Sequence, residues 1–146
     1  GGVYELGTVD GRFCAATDKA LCFVKADGSV STYDYQGANL ARCSINGGEF
    51  AAVLLENYSS GGLTHLATVN TAGEEIAALT VDSQVLDLSA AGRYVAVLYT
   101  SSLVIYDRNL RQCAVLEDVN FARRVLMRSD GSAVLAGTNS ASLYLP

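Results

Sequence analysis

Few residues of this chain have the types and spacing that catalysis or metal binding requires. His65 is the only histidine, and it lies in the middle of an apolar run at residues 63–67. A zinc site or a general base needs further ligands or an orienting partner at a suitable spacing, and none flanks it. We therefore interpret His65 as a half-buried strand residue, and we predict no metal site, no cofactor site and no catalytic residue.

The four cysteines also lack the spacing of a metal or redox site, since no two of them form a Cys-x-x-Cys pair. Each lies inside an apolar run, so we interpret them as buried free thiols that act as small hydrophobic side chains. A disulfide between Cys14 and Cys22 is the alternative, because the two could meet across a hairpin whose loop places them on one face. The other two cysteines are Cys43 and Cys113.

The composition is that of a globular protein without a nucleic-acid surface. Half of the 146 residues are hydrophobic, 17% are charged, and the net charge is -5. Binding to nucleic acid requires clustered Lys and Arg, and the densest basic cluster, at residues 123–128, is short. No apolar run reaches the ~20 residues of a membrane helix. We predict no nucleic-acid partner and no membrane contact by this segment itself.

Two independent sets of residues recur along the chain about every 40 residues. In one set a turn glycine precedes an apolar run, and in the other a leucine opens the next run. Short apolar runs between tight turns are typical of β-strands, and four strands in about 40 residues are typical of a β-propeller blade. No stretch keeps apolar residues at helical spacing. The glycines are Gly11, Gly48, Gly92 and Gly131, and the leucines are Leu21, Leu63, Leu103 and Leu143.

The sequence therefore predicts an all-β, β-propeller-like fold of about four consecutive four-stranded antiparallel blades, the last lacking its outer strand. Residues 1–146 are expected to form a single domain with blades at about 3–35, 36–80, 81–118 and 119–146. The longest predicted loop runs from 57 to 62. The predicted strands are 4–9, 12–17, 20–25, 30–33; 40–45, 50–56, 63–70, 75–80; 85–89, 94–99, 103–107, 112–117; and 124–128, 133–137, 142–145.

An open set of four blades would expose large apolar faces at its two ends, more than a soluble monomer usually tolerates. We therefore predict that the chain is the C-terminal part of a larger propeller. Either missing N-terminal blades or a second copy of the chain would complete the ring.

Three charged residues are candidates for lining the central channel of such a propeller. Asp87 falls in the innermost strand of the third blade, and Arg42 and Arg128 fall in the innermost strands of the flanking blades. Arranged as Arg–Asp–Arg, they could bind a polar ligand at the axis. We favour the plainer interpretation, in which they are the ordinary polar lining of a solvated channel.

The repeat resembles WD-like β-propellers in its period, in turns such as Asp130-Gly131, and in the run at residues 103–107. The Trp-Asp and Gly-His pairs of WD repeats are absent. The chain is more similar to uncharacterised propeller-like domains of membrane-anchored Gram-positive bacterial proteins, whose Ser-x-x-Gly-x-Tyr-x-Ala-Val pattern matches residues 89–97. This resemblance implies an extracytoplasmic domain that is anchored to the membrane by an upstream helix.

These patterns together favour a non-catalytic interaction, sensor or scaffold module that presents a β-propeller surface to a protein or glycan partner. The alternative is part of a propeller enzyme, with an active site at the central channel that missing blades would complete.

Overall fold

The computed structural model describes residues 2–57 and 63–146, so residues 58–62 of the predicted long loop lie outside the described residues. In that part of the chain the secondary structure consists of strands, and no helix is long and apolar enough to cross a membrane. The strands are β1 (Val3–Val9), β2 (Arg12–Thr17), β3 (Ala20–Val24), β4 (Val30–Asp34), β5 (Asn39–Ser44), β6 (Ala51–Asn57), β7 (Leu63–Val69), β8 (Glu75–Val81), β9 (Val85–Ala91), β10 (Tyr94–Tyr99), β11 (Ser102–Asp107), β12 (Gln112–Glu117), β13 (Arg124–Met127), β14 (Ala133–Ala136) and β15 (Ala141–Tyr144).

The strands form four antiparallel meanders, which we call blades 1 to 4. Their orders are β1-β2-β3-β4, β5-β6-β7-β8, β9-β10-β11-β12 and β13-β14-β15. This confirms the predicted fold class, including the missing outer strand of blade 4, and the four sheets do not close into a ring. The predicted strand ends differ from the observed ones by at most two residues.

Consecutive blades pack face to face around three apolar cores. We call the side of a blade that faces the following blade its front face and the side that faces the preceding blade its back face. Along β6 the side chains alternate between the two, since Val53 packs in the core with blade 1 and Leu54 in the core with blade 3. This alternation explains why the middle strands are apolar on both faces.

The turns that follow the innermost strands are joined by backbone hydrogen bonds from blade to blade. The amide of Asp10 donates to the carbonyl of Gly48 at 3.0 Å, and the amide of Gly92 donates to that of Gly47 at 3.1 Å. Gly47 and Gly92 have φ angles of 112° and 56°, in the left-handed region that glycine adopts without strain. These bonds hold blades 1, 2 and 3 together at one end of the molecule.

The register of the β2–β3 hairpin excludes a bond between Cys14 and Cys22. Cys14 lies opposite Phe23, and Cys22 lies opposite Ala15, so the two thiols point to opposite faces of blade 1. All four cysteines are free. The prediction of burial holds for Cys14 but is wrong for Cys113, which is exposed because it lies on the outer edge strand β12.

Candidate functional site

A cavity of about 490 Å3 lies where the innermost strands of the four blades approach one another. Its volume falls in the range of ligand-binding sites. Blade 1 contributes Tyr4 and Glu5, blade 2 contributes residues 40–46, blade 3 contributes Asp87 and Leu88, and blade 4 contributes Arg124.

One charged residue from each blade lines this cavity, and all four occupy the same position of their blades. Each lies opposite a residue on the front face of the second strand: Ala16, Leu54, Leu98 and Ala136, of which the first three pack in the core with the next blade. From blade 1 to blade 4 the charges at this position are negative, positive, negative and positive. We call this set the charged ring; its members are Glu5, Arg42, Asp87 and Arg124.

The two acidic members of the ring reach forward to the next blade. The thiol of Cys43 donates to Oε2 of Glu5 at 3.4 Å, and the amide of Val125 donates to Oδ2 of Asp87 at 2.9 Å. Cys43 and Val125 directly follow Arg42 and Arg124 in the sequence. Each carboxylate is therefore anchored beside the arginine of the following blade, which fixes the spacing of opposite charges.

Two serines next to the ring make a second set of contacts between innermost strands. The hydroxyl oxygen of Ser44 accepts a hydrogen bond from the amide of Ala90, and that of Ser89 accepts one from the amide of Met127, each at 2.8 Å. These bonds satisfy backbone amides that the sheets leave without a strand partner. They also hold the wall of the cavity in place.

The cavity contains one thiol, and its environment keeps it protonated. Burial, followed by the negative charge of Glu5 and the hydrogen bond to it, raises the pKa of Cys43 to about 12. At neutral pH the sulfur is therefore a neutral thiol rather than the thiolate that acts as a nucleophile. The arrangement provides positive and negative groups in fixed alternation around a polar cavity.

Of the three charged residues considered in the sequence, Arg42 and Asp87 line the cavity, and Arg128 lies outside it. Arg128 follows the end of β13 and is exposed, and its amide donates to the carbonyl of Ser132 in the turn. Arg124 takes the place that was assigned to Arg128, because the hairpin register puts it opposite Ala136. Glu5 was missed, although counting back along the first hairpin from its turn would have placed it on the front face.

His65 lies half-buried in β7, with Nδ1 at 3.5 Å from Oγ1 of Thr80 on the neighbouring strand, and it does not line the cavity. Within residues 2–57 and 63–146, no group of three or more His, Cys, Asp and Glu side chains lies close enough to hold a metal ion.

No protein-family profile and no curated protein matches the sequence. Solved structures do match. The fold is β-propeller-like. A crystal structure of the computationally designed Ika4 protein superposes with a TM-score of 0.67 at 10% identity, covering 99% of this chain and 92% of that one. BBS1N, solved in complex with ARL6DN, gives 0.64 at 11% identity, covering 96% of this chain and 49% of that one.

The WD40 domain of Neurospora crassa Pan2 gives a TM-score of 0.58 at 7% identity, covering 98% of this chain and 53% of that one. The chain thus has nearly the length of the designed protein but spans about half of the BBS1N and Pan2 structures. At identities this low the likeness shows the β-propeller-like fold alone.

Proposed function

We propose that this chain is a non-catalytic interaction module whose central cavity binds a polar segment of a partner protein. The observation that carries the proposal is the alternation of charge in the ring, from Glu5 through Arg42 and Asp87 to Arg124, around one cavity. Arginines pair with carboxylates, and carboxylates pair with ammonium or guanidinium groups. A segment with acidic and basic side chains can therefore satisfy both signs at once.

A protein partner fits this lining better than a glycan does. Neutral sugars present hydroxyl groups and apolar ring faces, and their sites rely on aromatic side chains alongside a few polar groups. Tyr4 is the one aromatic residue that lines the cavity, whereas four charged side chains line it. Charged groups in fixed positions favour a partner that is itself charged.

The hydrogen bonds between innermost strands favour binding, because they fix the positions of the charged ring before a partner binds. Asp87 is anchored to the amide of Val125, and Glu5 receives the thiol of Cys43. Groups that are fixed in the free protein lose less conformational entropy on association. The same anchoring supports a binding role over a catalytic one, since both carboxylates already accept hydrogen bonds from the chain and the Cys43 thiol is neutral.

The fold is compatible with this role, since the similar BBS1N structure was solved in complex with another protein, ARL6DN. The enzyme alternative is not favoured by a specific observation in the cavity. A scaffold role needs no cavity at all, and the charged ring is the reason for preferring specific binding.

A peptide array with mixed-charge sequences, printed beside a glycan array, tests the proposal. Peptides that bind the wild-type protein are then measured by fluorescence anisotropy against the Arg42→Ala variant. We expect Kd to rise at least about tenfold, since a lost charge-assisted pair is worth roughly 1.5–3 kcal/mol. Arg108→Ala is the matched control, because Arg108 lies outside the cavity in an exposed ion pair with Glu49 at 3.7 Å.

Three results would contradict the proposal: no peptide bound by the wild-type protein, equal affinity in the wild type and Arg42→Ala, or selective binding of a glycan instead. Turnover of a hydrolase substrate panel that disappears in Glu5→Gln would support the enzyme alternative.

We also propose, from the sequence resemblance, that the domain works on the extracytoplasmic side of a membrane-anchored protein. Protease accessibility of the full-length protein in intact cells tests this location. Protection of the domain in intact cells, with cleavage after lysis, would contradict it.

A further inference from the structure

The two end faces of the open blade array are apolar and exposed. On the back face of blade 1, the side chains of Leu6 and Phe13 are 57% and 48% exposed. On the front face of blade 4, those of Leu126 and Leu143 are 61% and 51% exposed. In the described residues neither face is covered by another blade.

Both faces carry apolar residues at positions that are buried between blades elsewhere in the chain. Phe13 corresponds to Ala51, Val95 and Ala133, the first back-face residues of the second strands, and each of these three is 0% exposed. Leu143, opposite Val134, corresponds to Phe23 opposite Cys14 and to Ile105 opposite Ala96, and the latter two pack in the cores.

These equivalent positions mean that the exposed end faces have the pattern of a junction between blades. A surface loop or a solvated edge strand would be expected to show polar side chains there. Each of the three internal junctions brings a front face against a back face. The front face of blade 4 and the back face of blade 1 are therefore the two kinds of face that such a junction pairs.

The charged ring adds an independent argument for the identity of the partner. Within the chain each acidic member is followed by an arginine, and Arg42 is followed by Asp87. Arg124 is the last member, and the member that would continue the alternation is an acid at the position of Glu5. A second copy of the same chain, with its blade 1 against blade 4, supplies that acid and keeps the signs alternating across the junction.

We propose that two copies of this chain join blade 4 of each to blade 1 of the other, which closes an eight-bladed ring with twofold symmetry. Each junction places a front face against a back face, as the junctions inside the chain do, and eight blades lie in the usual range for propellers. Symmetric dimers are the commonest oligomers, and a contact between two different faces must close on itself to avoid open filaments. In this ring the cavity is enclosed by both copies, and eight charges alternate around it.

The inference goes beyond the proposed function, because the ring would form whether or not a partner protein binds. Its test is also separate, since Arg42 lies at the junction of blades 2 and 3 inside the chain rather than on an end face.

Sedimentation equilibrium of the full 146-residue chain measures the association directly. We expect the wild-type protein at micromolar concentration to show twice the mass of the 15.3-kDa chain. Phe13→Lys alters only the back face of blade 1, and Leu126→Asp alters only the front face of blade 4. Each variant alone is expected to show the mass of a single chain, because a ring needs both faces of both copies.

Mixing the two variants is the decisive step. A ring of one Phe13→Lys copy and one Leu126→Asp copy has one wild-type junction, and its other junction places a lysine and an aspartate on opposing faces. We expect the equimolar mixture to recover the two-chain mass. Val115→Asp is the matched control, since Val115 is 46% exposed on the outer strand β12, away from both end faces; it should remain a dimer.

Far-UV circular dichroism and thermal melting confirm that each variant is folded before its mass is interpreted. A wild-type monomer would overturn the proposal and leave the end faces to another segment or protein. Dimers that persist in either single variant, assemblies larger than two chains, or a mixture that fails to re-associate would also overturn it.

A thiol readout offers a second measurement that does not depend on mass. Cys22 lies opposite Ala15 on the back face of blade 1, whereas Cys113 is exposed on β12. In the ring, alkylation of Cys22 should be at least about tenfold slower in the wild-type protein than in Leu126→Asp, while Cys113 reacts equally in both. Equal rates for Cys22 would contradict burial of this face.

Discussion

The junction between blades 1 and 2 and the junction between blades 3 and 4 use different residues to hold neighbouring innermost strands together. At the position that faces the next blade's innermost strand, blade 1 has Gly7, whereas blade 3 has Ser89. A Cβ at Gly7 would overlap the carbonyl oxygen of Ile45, so the glycine lets blade 2 approach closely. Ser89 instead accepts a hydrogen bond from the amide of Met127 at 2.8 Å.

The difference shows that the repeat conserves a geometry rather than a residue type. Two strands without ladder bonds between them can be joined by close backbone packing or by a short polar side chain that satisfies an amide. Leu126 occupies the corresponding position in blade 4 and fits neither solution within the chain. It is a position where contact with a second copy would differ from the internal junctions.

The largest effect is expected at the junction that relies on close approach. Gly7→Ala should lower the free energy of unfolding by about 3 kcal/mol, since the new methyl group meets backbone atoms of Ile45 that cannot rotate away. Urea denaturation measures it. Gly2→Ala is the control, because a Cβ there comes no closer than 4.0 Å to a ring carbon of Tyr4. A decrease in the free energy of unfolding below about 1 kcal/mol would contradict the prediction, because it would show that the two strands move apart at little energetic cost.

A smaller effect is expected where the junction relies on a hydrogen bond. Ser89→Ala leaves the buried amide of Met127 without its acceptor, which should lower the free energy of unfolding by about 1–3 kcal/mol. Ser142→Ala, at an exposed strand position, is the control and should change it by less than about 0.5 kcal/mol. If the two substitutions lower the free energy of unfolding equally, the hydrogen bond of Ser89 does not stabilise the junction.

The effect that is smallest at neutral pH concerns ionisation of the Cys43 thiol at the junction between blades 1 and 2, because it develops only as the pH rises above about 9. Burial and Glu5 raise the pKa of Cys43 from 9.0 to about 12 in the folded state. A group whose folded pKa is raised contributes stability that is full below the unfolded pKa and is lost as pH rises towards the folded one. The stability of the wild-type protein should therefore fall between pH 9 and pH 12 more steeply than that of Cys43→Ala.

Urea midpoints across this pH range provide the measurement for Cys43. Tyr33 and Tyr99, whose pKa values are also raised by burial, are present in both proteins, so the difference between the two curves reports Cys43 together with its charge interaction with Tyr35. Parallel curves for the two proteins would contradict the assigned environment of Cys43.

Much of the fold could be predicted because its signals are local. The Asp10-Gly11 and Asp130-Gly131 turns and the alternating apolar runs determine where strands begin and end. The face of the blade on which each residue lies was harder to predict from the sequence, since a one-residue difference in a turn exchanges the two faces of a strand. In blades 2 and 3 the aromatic residue two positions after the turn glycine is on the front face, as Phe50 is, whereas Phe13 is on the back face.

The candidate site shows the same limit. Arg42 and Asp87 line the cavity, but Arg128 does not, because strand membership alone does not tell which residue of a strand reaches it. Glu5 was overlooked because the first strand of blade 1 carries a weak apolar pattern. The alternation of charge becomes visible only when the four hairpin registers are aligned in space.

The sequence by itself determined the strand order and the four-blade repeat, since hydrophobic periodicity and turn chemistry act over a few residues. The tertiary structure alone decided the faces, the membership of the charged ring and the exposure of the two end faces. These depend on the register between strands and on the packing of one sheet against the next, which join residues about 40 positions apart in the chain.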